Sequence, residues 1–449
     1  MDKLNRTPGV DQLECISETL DLFSTSYVDT SLEHSYFVEI YPTTALAESS
    51  NSIDFSIPVS DDYLLLNESY VEIKMRLRQA NNTAVPAQAA DASYSVTNLI
   101  SASLFSAVNV KLHGHLISDS YGTYGYVAFL QTLLSYNVAT RKSLCRLMGY
   151  DDDSNQSALT AHAAAADSSF KRRAAWVTGD LSATFYAPIF HELFHQGRAL
   201  LPHMQLSLEF IKAPAAFALM SNDAACTHKY EIQSMKLHIQ RLKIVPSLKL
   251  ELEKSLESKN ARYPLLQTSV KPFYIEAGKL SCAFENVFNG RQIPSECIVG
   301  IVAQTAFRGA YNQSPYQFQH FNLNSLKISF DGQTWPSAGG FQPEYASTTE
   351  PFWGKEFLSL HNNSMKEQST SGISYQKYKD EFCLYVFNFG KNPSHTTDHI
   401  NPARSASARL DVTFATGTVN PALCLLLYTE VTQFLEVTAK RTIVKDYII

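Results

Sequence analysis

Charge is scarce in this 449-residue chain: only 18% of residues are charged, and 37 Lys and Arg against 43 Asp and Glu leave a formal charge of −6. A protein that wraps nucleic acid needs a basic excess to displace counterions, and none is present. The longest apolar run, Ala422 to Tyr428, is far too short to cross a bilayer. The opening residues lack the apolar core of a secretory signal. Seven cysteines (Cys15, Cys145, Cys226, Cys282, Cys297, Cys383, Cys424) are scattered, odd in number and never paired as CxxC. That argues against a disulfide scaffold and predicts reduced thiols, mostly in packing roles, in a cytosolic or nuclear setting. No GxxxxGK[ST], no GxGxxG after a strand and no GxSxG occurs, so the common nucleotide-binding and serine-hydrolase signatures are missing.

What the chain does hold is enough apolar material for two cores. It is 45% hydrophobic, with 23 Tyr and 26 Phe. Its length suggests two domains of roughly 200 residues each, and its aromatic content favours strands.

One stretch, Asn98 to Asn137, organises the rest. Val108, Val110 and Leu112 alternate with Asn109, Lys111 and His113, the period of a half-buried strand. His113-Gly114 supplies a turn. Tyr126, Phe129, Leu130, Leu133 and Leu134 then recur at helical spacing, predicting an amphipathic helix. The same grammar returns late. Leu326, Ile328 and Phe330 alternate with polar residues, Asp331-Gly332 turns the chain, and an apolar segment with Phe352, Trp353, Phe357, Leu358 and Leu360 follows. LSLEF at 206–210 and LDVTF at 410–414 form another matched pair. A duplicated unit is expected.

In chain order, residues 1–33 form an N-terminal arm, with Val10, Leu13, Ile16, Leu20 and Phe23 on one stripe and Asp11, Glu14, Glu18 and Asp21 between them. Strands follow, the clearest being Val71, Ile73, Met75 and Leu77 alternating with charged neighbours; others centre on Leu206–Phe210 and Met235–Ile239. A charged helix-favouring segment then separates the halves. The expected division is an arm at 1–33, a first jelly roll at 34–246, a linker helix at 247–262 and a second jelly roll at 263–449. Short alternating strands with long loops make the expected fold all-β: two tandem eight-stranded antiparallel jelly rolls with a few short helices.

The sharpest chemical motif is His191-Glu192-Leu193-Phe194-His195. On a helix, His191 and His195 could both bind zinc and Glu192 could act as base. With 13 histidines, such a motif arises by chance in roughly one or two of a hundred chains like this one. The context is poor: Leu201 stands where a third histidine would fall, and the segment lies where a jelly roll needs an inter-strand connection. Asp151, Asp153 and Asn155 imitate the start of a calcium loop, but Gln156 replaces its glycine and His162 its closing glutamate. His361, His395 and His399 show no metal-ligand spacing. The expectation is no catalytic site, no cofactor and no metal.

Several blocks also resemble the major capsid proteins of Polinton (Maverick) elements and adintoviruses: NLISASLFSAVNVKLHGHLIS, TYGYVAFLQTLLSYN, residues 193–220 and 236–248, YPLLQTSVKPFYIEAGKLSCAFENVFNGRQIPSECIVGIVAQTAF at 263–307, and 311–337. The resemblance covers about residues 35–449 and is weakest at 138–182 and 361–408. It implies a double jelly-roll hexon-type capsid protein whose homotrimers tile an icosahedral shell around double-stranded DNA. It also implies penton and minor capsid proteins as partners, no sequence-specific DNA contact, no membrane span, and a place in the virion shell after synthesis in the host cytosol. In that family the equivalent of 190–203 is a connection without zinc ligands. The rival readings are a zinc metalloprotease through His191, Glu192 and His195, and a carbohydrate-binding β-sandwich with exposed Tyr and Trp along a groove.

Overall fold

Runs that alternate apolar and polar residues become strands, because successive side chains on an extended backbone point to opposite faces. The computed structural model describes residues 30–87, 93–117, 122–152, 169–288, 292–345, 353–363, 372–390, 404–415 and 420–446. Ten strands occupy the first half: β1 Leu32–Ile40, β2 Ser52–Ile57, β3 Tyr63–Arg78, β4 Tyr94–Val96, β5 Phe105–Leu112, β6 His115–Leu116, β7 Ser182–Pro188, β8 Leu206–Lys212, β9 Leu219–Ser221 and β10 Lys229–Ile244. Nine occupy the second: β11 Ala261–Ile275, β12 Ser281–Glu285, β13 Glu296–Ala303, β14 Leu323–Phe330, β15 Gln333–Trp335, β16 Leu384–Asn388, β17 Arg409–Phe414, β18 Leu423–Val437 and β19 Ile443–Asp446.

The first half pairs β1-β10-β3-β7 in one sheet and β2-β8-β5-β6 in the other, with β4-β9 as a small ribbon. The second pairs β11-β18-β13-β16 and β12-β17-β14-β15, with β19 added to β18. Setting aside β4, β9 and β19, the strands of each half can be numbered one to eight. Both halves then read 1-8-3-6 and 2-7-4-5. This is one jelly roll written twice, and the fold is a double jelly roll.

The matched motifs occupy matched places. Val108, Val110 and Leu112 lie on β5, and Leu326, Ile328 and Phe330 on β14, the fourth strand of each half; all are buried. LSLEF is in β8 and LDVTF in β17, the seventh strand of each. The turns match as well. His113 and Gly114 have φ of 49° and 77°, and Asp331 and Gly332 of 51° and 74°. Positive φ at both central residues is what a two-residue hairpin loop needs to follow the strand twist.

Other expectations shift. The first strand begins at Leu32, so it opens inside the stretch read as arm; the arm's apolar stripe lies outside the described residues. The charged segment between the halves is a helix over Pro246–Ser258, with proline in its first turn, where its missing N–H costs nothing. The helix after β6 spans Tyr124–Ser135 and is not amphipathic in its setting: Tyr124, Gly125, Val127, Ala128 and Thr132 are buried along with the expected stripe. Its small residues let it be enclosed, and what encloses it includes the other half.

Candidate functional site

The HELFH segment does not form the helical face that a zinc site requires. His191 is extended (φ −142°, ψ 141°) and caps a single turn, Glu192–His195, by accepting the Leu193 N–H on Nδ1 at 3.2 Å. Ligands four residues apart share a face only when both are helical, so His191 is not stacked over His195. His191 and Glu192 are buried, 3.7 Å apart, while His195 is exposed. Among the described residues no group of three His, Cys, Asp or Glu is placed to hold a metal ion.

What this segment does is join the halves. The turn packs against both β3 and β11. Just beyond it, Arg198 donates to the Arg262 carbonyl at 2.6 Å, and the Leu201 N–H donates to the Tyr263 hydroxyl at 3.1 Å. From the chain's other end, Arg441 donates to the Pro202 carbonyl at 3.1 Å and pairs with Glu253 of the linker helix at 2.7 Å.

The acidic run is structural too. Asp151 binds Arg172 through both oxygens, at 2.7 and 2.8 Å, and its backbone N–H and carbonyl are both held by the Asn98 side chain. Asp152 accepts from the Tyr150 hydroxyl and sits 3.7 Å from Arg141. Asp153, Asn155, Gln156 and His162 lie outside the described residues, as do His395 and His399. His361 is half-buried against Phe357. The six described cysteines are free. Burial pushes the Cys145 thiol up to about 11 and those of Cys383 and Cys424 to about 12, which keeps them protonated and unreactive.

The most heavily built feature is the seam between the halves. Phe129, at the middle of the Tyr124–Ser135 helix, stacks on Tyr316 of the second half, with centroids 4.2 Å apart and planes 2° from parallel. Phe318 and Phe382 lie 6.4 and 6.3 Å from the same ring. Tyr126 stacks on Phe307 at 5.7 Å. Polar contacts fix the register: Ser103 and Tyr316 share a hydroxyl contact at 2.6 Å, the Thr123 hydroxyl donates to the Val270 carbonyl at 2.8 Å, and Gln131 donates to the Thr268 hydroxyl at 3.2 Å. On the second half Gly300 is required, because a Cβ there would lie 2.5 Å from Phe318. The sequence reading missed this seam. Its one signal was the aromatic loop around Tyr316, Phe318 and Phe321, too rich in rings for solvent.

This arrangement, two sandwiches that share one eight-strand order and are bolted side by side, defines the double jelly-roll class. Solved structures share it along nearly the whole chain. A chain of the Sputnik virophage cryo-EM structure matches with TM-score 0.64 at 10% identity, over 99% of this chain and 95% of that one. The Faustovirus major capsid protein matches with TM-score 0.59 at 8% identity, over 93% and 92%. The mavirus major capsid protein matches with TM-score 0.52 at 10% identity, over 99% and 97%. The Faustovirus and mavirus chains are major capsid proteins. At these identities the likeness carries the fold. No protein-family model matches. An uncharacterized protein of Caenorhabditis elegans is 22% identical over 283 residues, 62% of this chain and 65% of that protein, so the match spans just under two thirds of the relative's length.

Proposed function

We propose that the chain is a structural major capsid protein, the repeating tile of an icosahedral double-stranded DNA virus or virus-like transposon of the Polinton or adintovirus kind. The observation that supports it best is the duplicated strand order in one chain. Three copies of a chain with two like units present six like units around a ring, so similar lateral contacts can recur on every side. The strands from β1 to β10 and from β11 to β19 make the two units of the tile, and the Pro246–Ser258 helix is the connection. The tile works as a homotrimer and then through contacts between capsomers, with penton and minor capsid proteins completing the shell. Its place is the virion, after synthesis in the host cytosol.

A tile needs stiffness, not chemistry. Cores sealed by residues such as Val110, Leu237, Leu326 and Val412, each fully buried, supply it. Among the described residues no helix is long and apolar enough to cross a membrane. Without a basic excess, the shell contains DNA by enclosure and makes no sequence-specific contact with it. Light scattering behind size exclusion should give the mass of three chains or a larger particle, and negative-stain images should show hexagonal capsomers. A stable monomer at micromolar concentration refutes the proposal.

A further inference from the structure

One corner of the second half is closed by a histidine. The turn ahead of β14 runs His320-Phe321-Asn322-Leu323, and Phe321 and Asn322 hold positive φ of 44° and 53°. That region is disfavoured for a bulky L-residue, so the turn persists because its surroundings fix it. The Leu323 N–H donates to the His320 carbonyl at 2.8 Å, and the Ala415 N–H to the Asn322 carbonyl at 2.9 Å. The Asn420 side-chain amide donates to the Phe321 carbonyl at 3.1 Å. The Asn322 N–H donates to His320 Nδ1 at 3.0 Å. Of these four bonds only the last has an acceptor that titrates near physiological pH.

His320 also carries a column of rings. It stacks on Tyr345 at 4.2 Å, Tyr345 stacks on Trp353 at 5.9 Å, and Trp353 stacks on Tyr375 at 4.9 Å. Lys379 caps the column, its Nζ 4.9 Å from the centre of the Trp353 ring. Tyr375 and Lys379 belong to the helix Tyr375–Asp380. Tyr345, Trp353, Tyr375 and Lys379 all fall between β15 and β16 and lie in no strand of either sheet. A unit outside the ladders can part from a sandwich without unfolding it. The column covers Cys383, which is fully buried with its Sγ 3.0 Å from the Tyr345 hydroxyl.

We propose that His320 is an acid-operated latch: uptake of a proton at Nδ1 breaks the turn and releases the ring column, while the two sandwiches stay folded. Protonation turns the Nδ1 acceptor into a donor that faces the Asn322 N–H, so that bond is lost and two hydrogens meet. The charged groups that face the ring are Lys379 and Asp380, both from the Tyr375–Asp380 helix; Ala415, Asn420 and Tyr345, packed from the other sides, bring no charge. Burial, first, and Lys379, second, hold the latched ring neutral down to about 4, against the pull of Asp380. In the released state the ring returns to its ordinary value of 6.5, so the released state binds the proton first and acid between these limits favours release. This latch belongs to one corner of one chain and stands or falls apart from the capsid reading.

The test labels the full chain with dithiodipyridine, a thiol reagent that remains active in acid, and reads each cysteine by peptide mass relative to the urea-unfolded chain at the same pH. Between pH 7 and 4.5 Cys383 should label faster by roughly tenfold or more. Cys297 and Cys424, buried in the sheet β11-β18-β13-β16, should not change, nor should far-ultraviolet circular dichroism. His320→Gln should label Cys383 at one rate across the range. Lys379→Met should shrink the acid rise, because the latched ring then tolerates a proton, and Asp380→Asn should enlarge it. These two variants keep the test decisive if His320→Gln does not fold. The latch is overturned by an absent rise at Cys383, by a rise that Cys297 and Cys424 share, by one that survives in His320→Gln, or by one that ignores both charge changes.

Discussion

Replacing Phe129 by Ala removes the central ring of the seam. Phe129 is fully buried, stacked on Tyr316 and ringed by Tyr150, Phe318 and Phe382. Truncating a buried Phe costs about 3–5 kcal/mol through lost transfer energy and the cavity left behind. The stacked pair adds about 1 kcal/mol beyond area, and the enclosed helix cannot shift to fill the gap, so the cost belongs near 4–5 kcal/mol. The melting shift tells how much of the chain responds. At about 2 cal/mol/K of unfolding entropy per residue, a loss of about 4 kcal/mol lowers Tm by roughly 4 °C if all 449 residues unfold together. It lowers Tm by roughly 9 °C if one half unfolds alone. Calorimetry at fixed concentration and scan rate, with denaturant midpoints beside it, reads both numbers. Limited proteolysis should show cleavage near the Pro246–Ser258 helix rising in the variant. A loss under about 1 kcal/mol would mean that the halves are held together elsewhere and refute the seam argument.

Glu192→Gln should leave assembly and melting unchanged, and purified wild type should hold no stoichiometric zinc; about one zinc per chain by elemental analysis would sink the structural reading of HELFH. Burial, reinforced by Lys379 and opposed by Asp380, lowers His320 from 6.5 to about 4, and its Nδ1 accepts the Asn322 N–H. The unfolded chain takes up this proton near pH 6.5 and the folded one only near 4. Stability is therefore complete above pH 6.5 and falls through that window, by up to about 3 kcal/mol. Urea midpoints at pH 7.5 and 5 should diverge in wild type and converge in His320→Gln; equal slopes for the two proteins would dismiss the histidine. Deleting residues 2–29 should leave trimer mass unchanged while lowering particle yield, because every strand of the two sandwiches begins at Leu32 or later. An unchanged yield, or a lost trimer, counts against that role.

Much of the fold was legible because the strand period is two: a triplet such as Val71, Ile73, Met75 can bury only one face, so register follows from pattern. Duplication was legible for the same reason, since equivalent strands keep equivalent inward residues. HELFH could not be settled that way. Whether His191 and His195 share a face depends on backbone angles at His191, and the spacing of letters is identical in a helix and in a capped single turn.

The chain by itself thus determined the strands, the turns at His113-Gly114 and Asp331-Gly332, and the two-fold repetition, all consequences of local periodicity and allowed φ. Only the tertiary structure decided what each apolar surface packs against. An inward triplet and the second sheet's outward row at Val270, Tyr428 and Ile298 are equally hydrophobic in sequence, since burial of apolar area is non-directional and carries no label for the partner. Topology covered that row with the first half's helix and with Phe318 and the Gly354–Asn363 helix of its own half, enclosed the residues around Phe129, and left Phe37 and Tyr186 open.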